Sequence, residues 1–396
     1  MKPALYGGQP VRDRFLPYAR QYIDGQDLEA VNTVLISNFL TTGPRVHEFE
    51  RKIADYVGAR YAVAFSSGTA ALHGACYAAG IKAGDEVITT PITYAASANC
   101  VLYMGGTPVF ADINPDNFNI DVAEIKKKIT SKTKAIIPVD YTGQAVDLDS
   151  IRALTEGTDI VIIEDGAHSL GTKYKGVPVG GLADMTMFSF HPVKIITTGE
   201  GGIITTNNSD YYRKLLKFRT HCVTREESQL ERQSAGGWYY EQQDLGFNYR
   251  LTDFQAALGI SQLEKLPWFT KRRKEIFNRY NEAFCNLEGI ILQKNEEYSD
   301  TVKHIYVLKL DLPRLKDDRK EIYNALLAEN IGVNVHYLPV YWHPHYERLG
   351  YKKGLCPKAE ELYQALLTIP LFPAMSDKDV EDVIEGVRKV ITYFRR

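Results

Sequence analysis

The sequence has only five cysteines, and their spacing is not that of a metal site. They are Cys76, Cys100, Cys222, Cys285 and Cys356. An odd number of scattered cysteines does not favour a closed disulfide framework. We therefore predict no metal, and a fold that does not depend on disulfides.

Net charge, long apolar runs and repeats are also scarce. The formal net charge is −2, which gives no electrostatic reason to expect nucleic acid or an acidic membrane surface as a partner. No apolar stretch approaches the ~20 residues that span a bilayer, and no signal-type segment begins the chain. We expect a cytoplasmic globular protein, and 396 residues suit one large domain with a smaller one.

What the sequence does have is a stretch rich in reactive and small residues, Ser189 to Gly202, between the apolar runs Met185 to Phe190 and Ile203 to Thr206. Its lysine, Lys194, is held between two buried elements. Burial disfavours the charged amine, so such a lysine can act as a nucleophile near neutral pH, as a carbonyl-bearing cofactor requires. The alternative is a loop lysine whose stem packs and whose head reaches water.

A second feature is the β-branched run Ile160 to Ile163, which ends in Glu164 and Asp165. Such a run is typical of a central parallel strand, and ligands bind beyond the carboxyl ends of these strands. A carboxylate there can hydrogen-bond a protonated pyridine nitrogen and keep it cationic. Asp165 as a helix N-cap is the alternative.

The third feature is the strand-like run Tyr61 to Phe65, which leads into Ser66-Ser67-Gly68-Thr69 and a helix of small residues. Free N–H groups and the positive end of the helix dipole favour a phosphate at this point. Ordinary helix capping is the alternative.

Together and in this order, the three features resemble the pyridoxal-phosphate aminotransferases of fold type I, and more narrowly the DegT/DnrJ/EryC1/StrS family of sugar aminotransferases. The resemblance extends over nearly the whole chain, and its motifs are residues 67–72, 164–168, 189–202 and 246–253. One departure is Cys222, because relatives commonly have glycine after the histidine that matches His221. That leaves the path of this loop near the substrate in doubt.

Seven apolar runs alternate with helical segments, which predicts an α/β fold with a mostly parallel sheet covered by helices on both faces. The runs are Tyr61 to Phe65, Glu86 to Thr89, Thr107 to Ala111, Ala135 to Val139, Ile160 to Ile163, Met185 to Phe190 and Ile203 to Thr206. Seven is the strand number that the resemblance implies. We divide the chain into an N-terminal arm (1–30), a large cofactor-binding domain (31–250) and a small C-terminal α/β domain (251–396).

Helical periodicity and one alternating strand complete the predicted elements. The helices are Asp24 to Leu35, Phe254 to Leu266, Phe269 to Leu287 and Lys316 to Glu329, and the strand is His304 to Leu310. In the first helix, Leu28, Val31, Val34 and Leu35 lie on one side. Residues 223–246 read as an extended loop bearing Trp238-Tyr239-Tyr240-Glu241.

The resemblance also implies roles for individual residues. Lys194 forms the Schiff base and shuttles protons, Asp165 keeps the pyridine nitrogen protonated, Tyr94 stacks on the ring, His168 contacts the ring hydroxyl, and Gly68, Thr69, Ser189 and Asn248 of the partner subunit hold the phosphate. The implied substrate contacts are Tyr18, Asn38, Phe39, Leu40, Thr41, His336 and Tyr337. From the residues alone, Tyr94 fits core packing, His168 a structural hydrogen bond, Asn248 a turn, Tyr18 a packed surface aromatic, and His336 and Tyr337 an edge strand.

By the same resemblance, the enzyme is a homodimer with composite sites. It carries pyridoxal phosphate and moves an amino group from glutamate to C4 of a nucleotide-linked 4-keto-6-deoxyhexose. The Lys194 stretch looks most like that of enzymes that aminate carbon 4 rather than carbon 3. The 238–241 loop and the His336-Tyr337 segment look most like the type that makes UDP-4-amino-4,6-dideoxy-N-acetyl-β-L-altrosamine for pseudaminic acid. Alternatives are C4 aminotransferases acting on bacillosamine-type, GDP or dTDP sugars. Two other classes are disfavoured: a sugar dehydratase would have histidine in place of Lys194, and a non-catalytic regulator would have lost Asp165 or the phosphate residues.

Overall fold

The computed structural model describes residues 2–396 and contains two principal sheets. The first sheet has a hydrophobic core on each face, and the second sheet has a separate one. The strands are β1 Tyr61–Phe65, β2 Glu86–Thr89, β3 Thr107–Phe110, β4 Thr133–Ile137, β5 Val161–Asp165, β6 Lys173–Tyr174, β7 Val177–Pro178, β8 Met185–Ser189, β9 Gly202–Thr206, β10 Val223–Thr224, β11 Glu241–Gln242, β12 Ile290–Leu292, β13 Ser299–Asp300, β14 Tyr306–Leu310 and β15 Leu366–Ile369.

Helices cover both faces of the first sheet and pack against the second. They are α1 Gly25–Leu35, α2 Pro44–Val57, α3 Gly68–Ala78, α4 Ala96–Tyr103, α5 Val122–Lys128, α6 Leu148–Thr155, α7 Ser209–Phe218, α8 Asp253–Glu264, α9 Leu266–Phe284, α10 Arg319–Ala328, α11 Pro344–Arg348, α12 Pro357–Ala365 and α13 Asp377–Phe394. Within residues 2–396, no helix combines the length and the apolar character that crossing a membrane demands.

The first sheet has seven strands in the order β1-β9-β8-β5-β4-β2-β3. All neighbouring pairs are parallel except those of β9, which runs antiparallel to β1 and β8. Every residue of β5 is buried, as expected for a central strand between two helical layers. The predicted α/β fold with a mostly parallel seven-stranded sheet is confirmed.

Several predicted bounds differ from the structure by one to three residues. The fourth strand runs from Thr133 to Ile137 instead of from Ala135 to Val139, and it ends before Pro138, which has no N–H to donate to a ladder. The predicted helix from Lys316 begins only at Arg319, because the side chain of Asp318 caps it. The alternating strand begins at Tyr306 instead of His304.

The second sheet, β12-β14-β15, is antiparallel and packs with α9, α10 and α13 around a separate core. Leu16 of the N-terminal arm lies in this core of the second sheet, whereas Leu251, Ala256 and Ile260 lie in one of the two cores of the first sheet. The division at residues 30 and 250 stays a prediction.

Helix α1 confirms the predicted helix, with Asp24 as its cap. Its buried face holds Val34 and the carboxylate Asp27, which Lys265 contacts at 2.7 Å. Leu28 and Leu35, from the predicted apolar side, are 66% and 53% exposed. Helix α1 is therefore anchored by a buried ion pair and leaves much of its apolar side at the surface.

Candidate active site

A cavity of about 700 Å³ opens at the carboxyl ends of β5 and β8, where Asp165 and Ser189 end their strands. This is where ligands bind in parallel α/β sheets. Nine of the predicted site residues line it: Tyr18, Gly68, Thr69, Tyr94, Asp165, Ser189, Lys194, His336 and Tyr337. Residues that are far apart in the sequence, from 18 to 337, thus meet in one site.

Lys194 lies in a turn that follows β8. Its N–H donates to the carbonyl of His191 at 2.9 Å, and the amide of Thr198 donates to Phe190 at 3.0 Å, so the backbone holds the lysine in place. Burial lowers the pKa of Lys194 to about 8, against the opposing attraction of the Asp165 carboxylate. A substantial fraction of this amine is therefore neutral near pH 8 and able to attack a carbonyl.

Asp165 faces Lys194 from the adjacent strand, and its carboxylate accepts two hydrogen bonds. Ser97 Oγ donates to Oδ2 at 2.7 Å, and the Ala167 N–H donates to Oδ1 at 3.1 Å. Burial raises the pKa of Asp165, while these two bonds and the charge of Lys194 lower it. Asp165 does not cap a helix; its side chain lies in the cavity wall.

The N-terminus of α3 forms a cradle beside Ser189. Ser67 caps the helix by accepting from the Ala70 N–H at 3.1 Å, and the amides of Gly68 and Thr69 are the first of the helix. A side chain on Gly68 would come within 3.1 Å of Ser189 Cβ, so glycine keeps the cradle open. Backbone donors, a serine hydroxyl and a helix dipole are what a phosphate requires.

His168 lies behind the cavity wall instead of lining it. It is 4% exposed, its Nε2 is 3.2 Å from Tyr337 Oη, and its Nδ1 has no partner among residues 2–396. Burial holds the pKa of His168 well below its ordinary value, so the ring is neutral. Tyr94, at the cavity mouth, is 67% exposed and meets the Tyr337 ring edge-to-face, with 6.3 Å between centroids.

The remaining predicted residues do not line this cavity. Asn38, Phe39, Leu40 and Thr41 form an exposed loop whose end pairs with Thr252. Asn248 is exposed and bridges to Thr220. Within one chain the cavity is therefore closed at its floor and open at the edge where these residues were expected.

Sequence reasoning missed several residues that line or support the site. Ala19, Ser97, Ala167, Glu200, His304 and Asn334 line the cavity. Ser97 had a weak signal, since it follows the predicted ring-stacking Tyr94 by three residues. His304 had none, because it comes from the segment just before β14, and only the packing of separate parts of the chain brings it there.

Comparisons with known proteins agree with this geometry. The DegT/DnrJ/EryC1/StrS aminotransferase family profile matches residues 21–388. The chain belongs to this family. It is therefore a pyridoxal-phosphate-dependent sugar aminotransferase.

Individual relatives cover almost the entire chain. The spore coat polysaccharide biosynthesis protein SpsC of Bacillus subtilis is 41% identical over 96% of this chain and 98% of its own. The UDP-4-amino-4,6-dideoxy-N-acetyl-β-L-altrosamine transaminase of Campylobacter jejuni is 37% identical over 96% and 99%. A Streptococcus pneumoniae structure, described as a sugar aminotransferase in its PMP form, superposes with a TM-score of 0.89 at 32% identity, over 96% and 99%.

The residues of this sugar aminotransferase fit pyridoxal phosphate. The cradle of Gly68, Thr69 and Ser189 suits its phosphate, and the buried carboxylate of Asp165 suits its ring nitrogen. The unpartnered Nδ1 of His168 and the amine of Lys194 supply further polar groups. All of these belong to one cavity and its wall, and together they match the chemistry of the cofactor's substituents.

Proposed function

We propose that this aminotransferase moves an amino group from glutamate to C4 of a UDP-linked 4-keto-6-deoxy-N-acetylhexosamine, giving UDP-4-amino-4,6-dideoxy-N-acetyl-β-L-altrosamine. The observation that carries the proposal is that Lys194, Asp165 and the α3 cradle meet in one cavity, in a chain 37% identical to a transaminase of that name. Lys194 also counts against dehydratase chemistry, which would replace this lysine with histidine.

The residues divide the work between orientation and proton transfer. Bound pyridoxal phosphate supplies a carbonyl that takes up the amino group and a ring that withdraws electrons. Lys194 Nζ would hold the cofactor through its carbonyl carbon and would act as the base and acid that moves protons at the reacting carbons. Asp165 would hold the ring nitrogen protonated, Ser189 and the α3 amides would hold the phosphate, and Tyr94 would pack on the ring.

We further propose that a second copy of the chain completes the site. Of the residues of 2–396 that line the cavity, Lys194 is the one lysine or arginine, although a nucleotide diphosphate brings at least two negative charges. Apolar side chains of α1 and the following loop lie at the surface, with Ile36 80% and Phe39 54% exposed. A homodimer that covers this surface would bring Asn248, and Arg250 two residues after it, to the partner's cavity.

A second candidate is a C4 aminotransferase for a different nucleotide sugar. The 41% identity to SpsC, which is named for spore coat polysaccharide biosynthesis, favours keeping this candidate. It shares the mechanism and differs only in which hydroxyl groups the pocket binds. Bacillosamine-type, GDP and dTDP 4-keto sugars are its substrates.

One experiment separates the two substrate candidates. Purified protein is loaded with pyridoxal phosphate, treated with glutamate, and freed of keto acid; the resulting amine form is offered UDP-, dTDP- and GDP-4-keto sugars while the cofactor's visible absorbance is followed. Return of the absorbance with UDP-2-acetamido-2,6-dideoxy-β-L-arabino-hexos-4-ulose alone supports the altrosamine assignment. Return with another sugar assigns the second candidate, and failure with every sugar contradicts both.

A further inference from the structure

Ser97 makes the shortest hydrogen bond to Asp165 and is itself completely buried. It lies in the first turn of α4 and donates from Oγ to Asp165 Oδ2 at 2.7 Å. The other carboxylate oxygen receives the Ala167 N–H at 3.1 Å. Each carboxylate oxygen of Asp165 therefore accepts one hydrogen bond from the protein and keeps a lone pair for another partner.

The direction of the bonds behind Asp165 follows from the number of hydrogens. A serine hydroxyl has one hydrogen to donate, and an ionised carboxylate can only accept. If Ser97 donates to Asp165, then Thr93 Oγ1, 2.8 Å from Ser97 Oγ, must donate to Ser97. Thr93, 4% exposed, thus begins a chain of two hydrogen bonds that ends on the carboxylate. In such a chain each hydrogen bond strengthens the other.

Asp165 needs this support because its surroundings disfavour its charge. The ionisable groups that interact electrostatically with Asp165 are Lys194, Glu164, Asp140, Tyr337 and Cys100. Of these, only Lys194 bears a positive charge, and Glu164 and Asp140 are buried carboxyls. Lys194 is also the nucleophile, so its charge changes during the reaction, whereas the bonds from Ser97 and Ala167 persist.

We propose that Ser97, backed by Thr93, is a positioning residue that keeps Asp165 ionised and fixes the oxygen that it presents to the cofactor's ring nitrogen. This inference rests on the proposed role of Asp165. Ser97 acts through Asp165 and needs no contact with the reacting atoms. Its loss should therefore alter cofactor affinity and its pH dependence.

The test measures binding of pyridoxal phosphate to apoprotein by fluorescence from pH 5 to 9. Ser97→Ala should raise the Kd about 10- to 100-fold, the effect of losing a hydrogen bond to a charged group. Removing that bond raises the pKa of Asp165, so the loss of affinity on acidification should begin at higher pH than in the wild type. Ser97→Thr, which keeps the hydroxyl, should restore both properties.

Ser261 provides a matched control. Its Oγ also donates at 2.7 Å to a buried carboxylate, Asp27, but outside the cavity. Ser261→Ala should lower the melting temperature about as much as Ser97→Ala does, and it should leave the Kd for pyridoxal phosphate and its pH profile unchanged. Thr93→Val, which leaves Ser97 in place, should shift the Kd in the same direction by a smaller factor, and it serves if Ser97→Ala does not fold.

The outcomes distinguish this inference from the role of Asp165 itself. If Asp165→Asn binds pyridoxal phosphate weakly but Ser97→Ala and Thr93→Val match the wild type at every pH, Ser97 is only structural and the inference is wrong. If Asp165→Asn also binds like the wild type, the proposed role of Asp165 fails as well.

Discussion

The floor of the active-site cavity and its rim differ in how completely one chain surrounds them. On the floor, Asp165 is 4% exposed and Ser97 fully buried, and both are hydrogen-bonded. At the rim, Tyr94 is 67% exposed, and Phe39, on the loop expected to reach the substrate, is 54% exposed. The groups proposed to bind the cofactor are thus held within a single chain, whereas the surface expected to meet the sugar nucleotide lacks cover.

This difference follows from the elements that carry each region. On the floor, Asp165 ends the central strand β5, whose backbone is fixed by ladders on both sides, and Ser97 lies in the first turn of α4. The rim residues lie in loops, where few buried contacts oppose the loss of conformational entropy. We infer that chemistry is fixed by the fold and that substrate choice depends on loops and on the partner copy.

The largest effect should come from the floor. Lys194→Arg keeps a positive charge but removes the nucleophile and proton carrier, so we expect turnover to fall by at least about 10⁴-fold and the visible absorbance of bound pyridoxal phosphate to be lost. Steady-state assays and spectra measure both. The exposed Lys132→Arg is the control, and an active Lys194→Arg protein with normal absorbance would mean that the floor does not carry the chemistry.

Asp165→Asn should have the next largest effect, because it removes the carboxylate while keeping its shape. We expect kcat to fall about 10²- to 10⁴-fold, with weaker cofactor binding. The matched control is Glu164→Gln, which neutralises the adjacent buried carboxyl, one that bonds Thr186 at 2.9 Å and does not line the cavity. Equal losses in the two variants would contradict a specific role for Asp165.

Mixed dimers test whether the rim is completed by the partner. Homodimers of Lys194→Arg and homodimers of Asn248→Ala should both be inactive when pyridoxal phosphate is limiting. If Asn248 serves the partner's site, each mixed dimer contains one intact site, and random mixing should restore about one quarter of wild-type activity. If Asn248 acts within its own chain, no mixed dimer has an intact site, so the absence of recovery would contradict the composite rim.

The smallest expected effect concerns Glu164, the buried carboxyl next to Asp165 that does not line the cavity. Burial raises the pKa of Glu164 from its ordinary 4.5 to about 7, so the folded protein holds a proton that the unfolded chain releases between these values. The contribution of Glu164 to the free energy of unfolding therefore decreases as pH rises through this window. Glu164→Gln removes that decrease, and relative to wild type the variant should gain about 1–3 kcal/mol from pH 4.5 to 8.

Urea unfolding at several pH values measures this difference. The exposed Glu385→Gln should follow the wild type throughout. A constant difference between Glu164→Gln and wild type at every pH would mean that Glu164 keeps its ordinary pKa in the folded protein.

The sequence by itself determined the strands of the first sheet and the positions along the chain of Lys194, Asp165 and Gly68. Short β-branched and aromatic runs such as Tyr61–Phe65 and Glu86–Thr89 match the strands residue for residue, because a strand buried between two helical layers tolerates few polar residues. Gly68 follows the run Tyr61–Phe65, Asp165 the run Ile160–Ile163 and Lys194 the run Met185–Phe190, each within four residues. Their positions in space are set by local order along the chain, which a sequence displays.

Only the tertiary structure decided what surrounds those groups. The hydrogen bond from Ser97 to Asp165 joins residues 68 positions apart, and the contact of His168 with Tyr337 joins residues 169 apart. The exposure of Leu28 likewise depends on Lys265, which anchors α1 by pairing with Asp27. Such contacts depend on how separate elements pack, and the local periodicity of a sequence does not encode that packing.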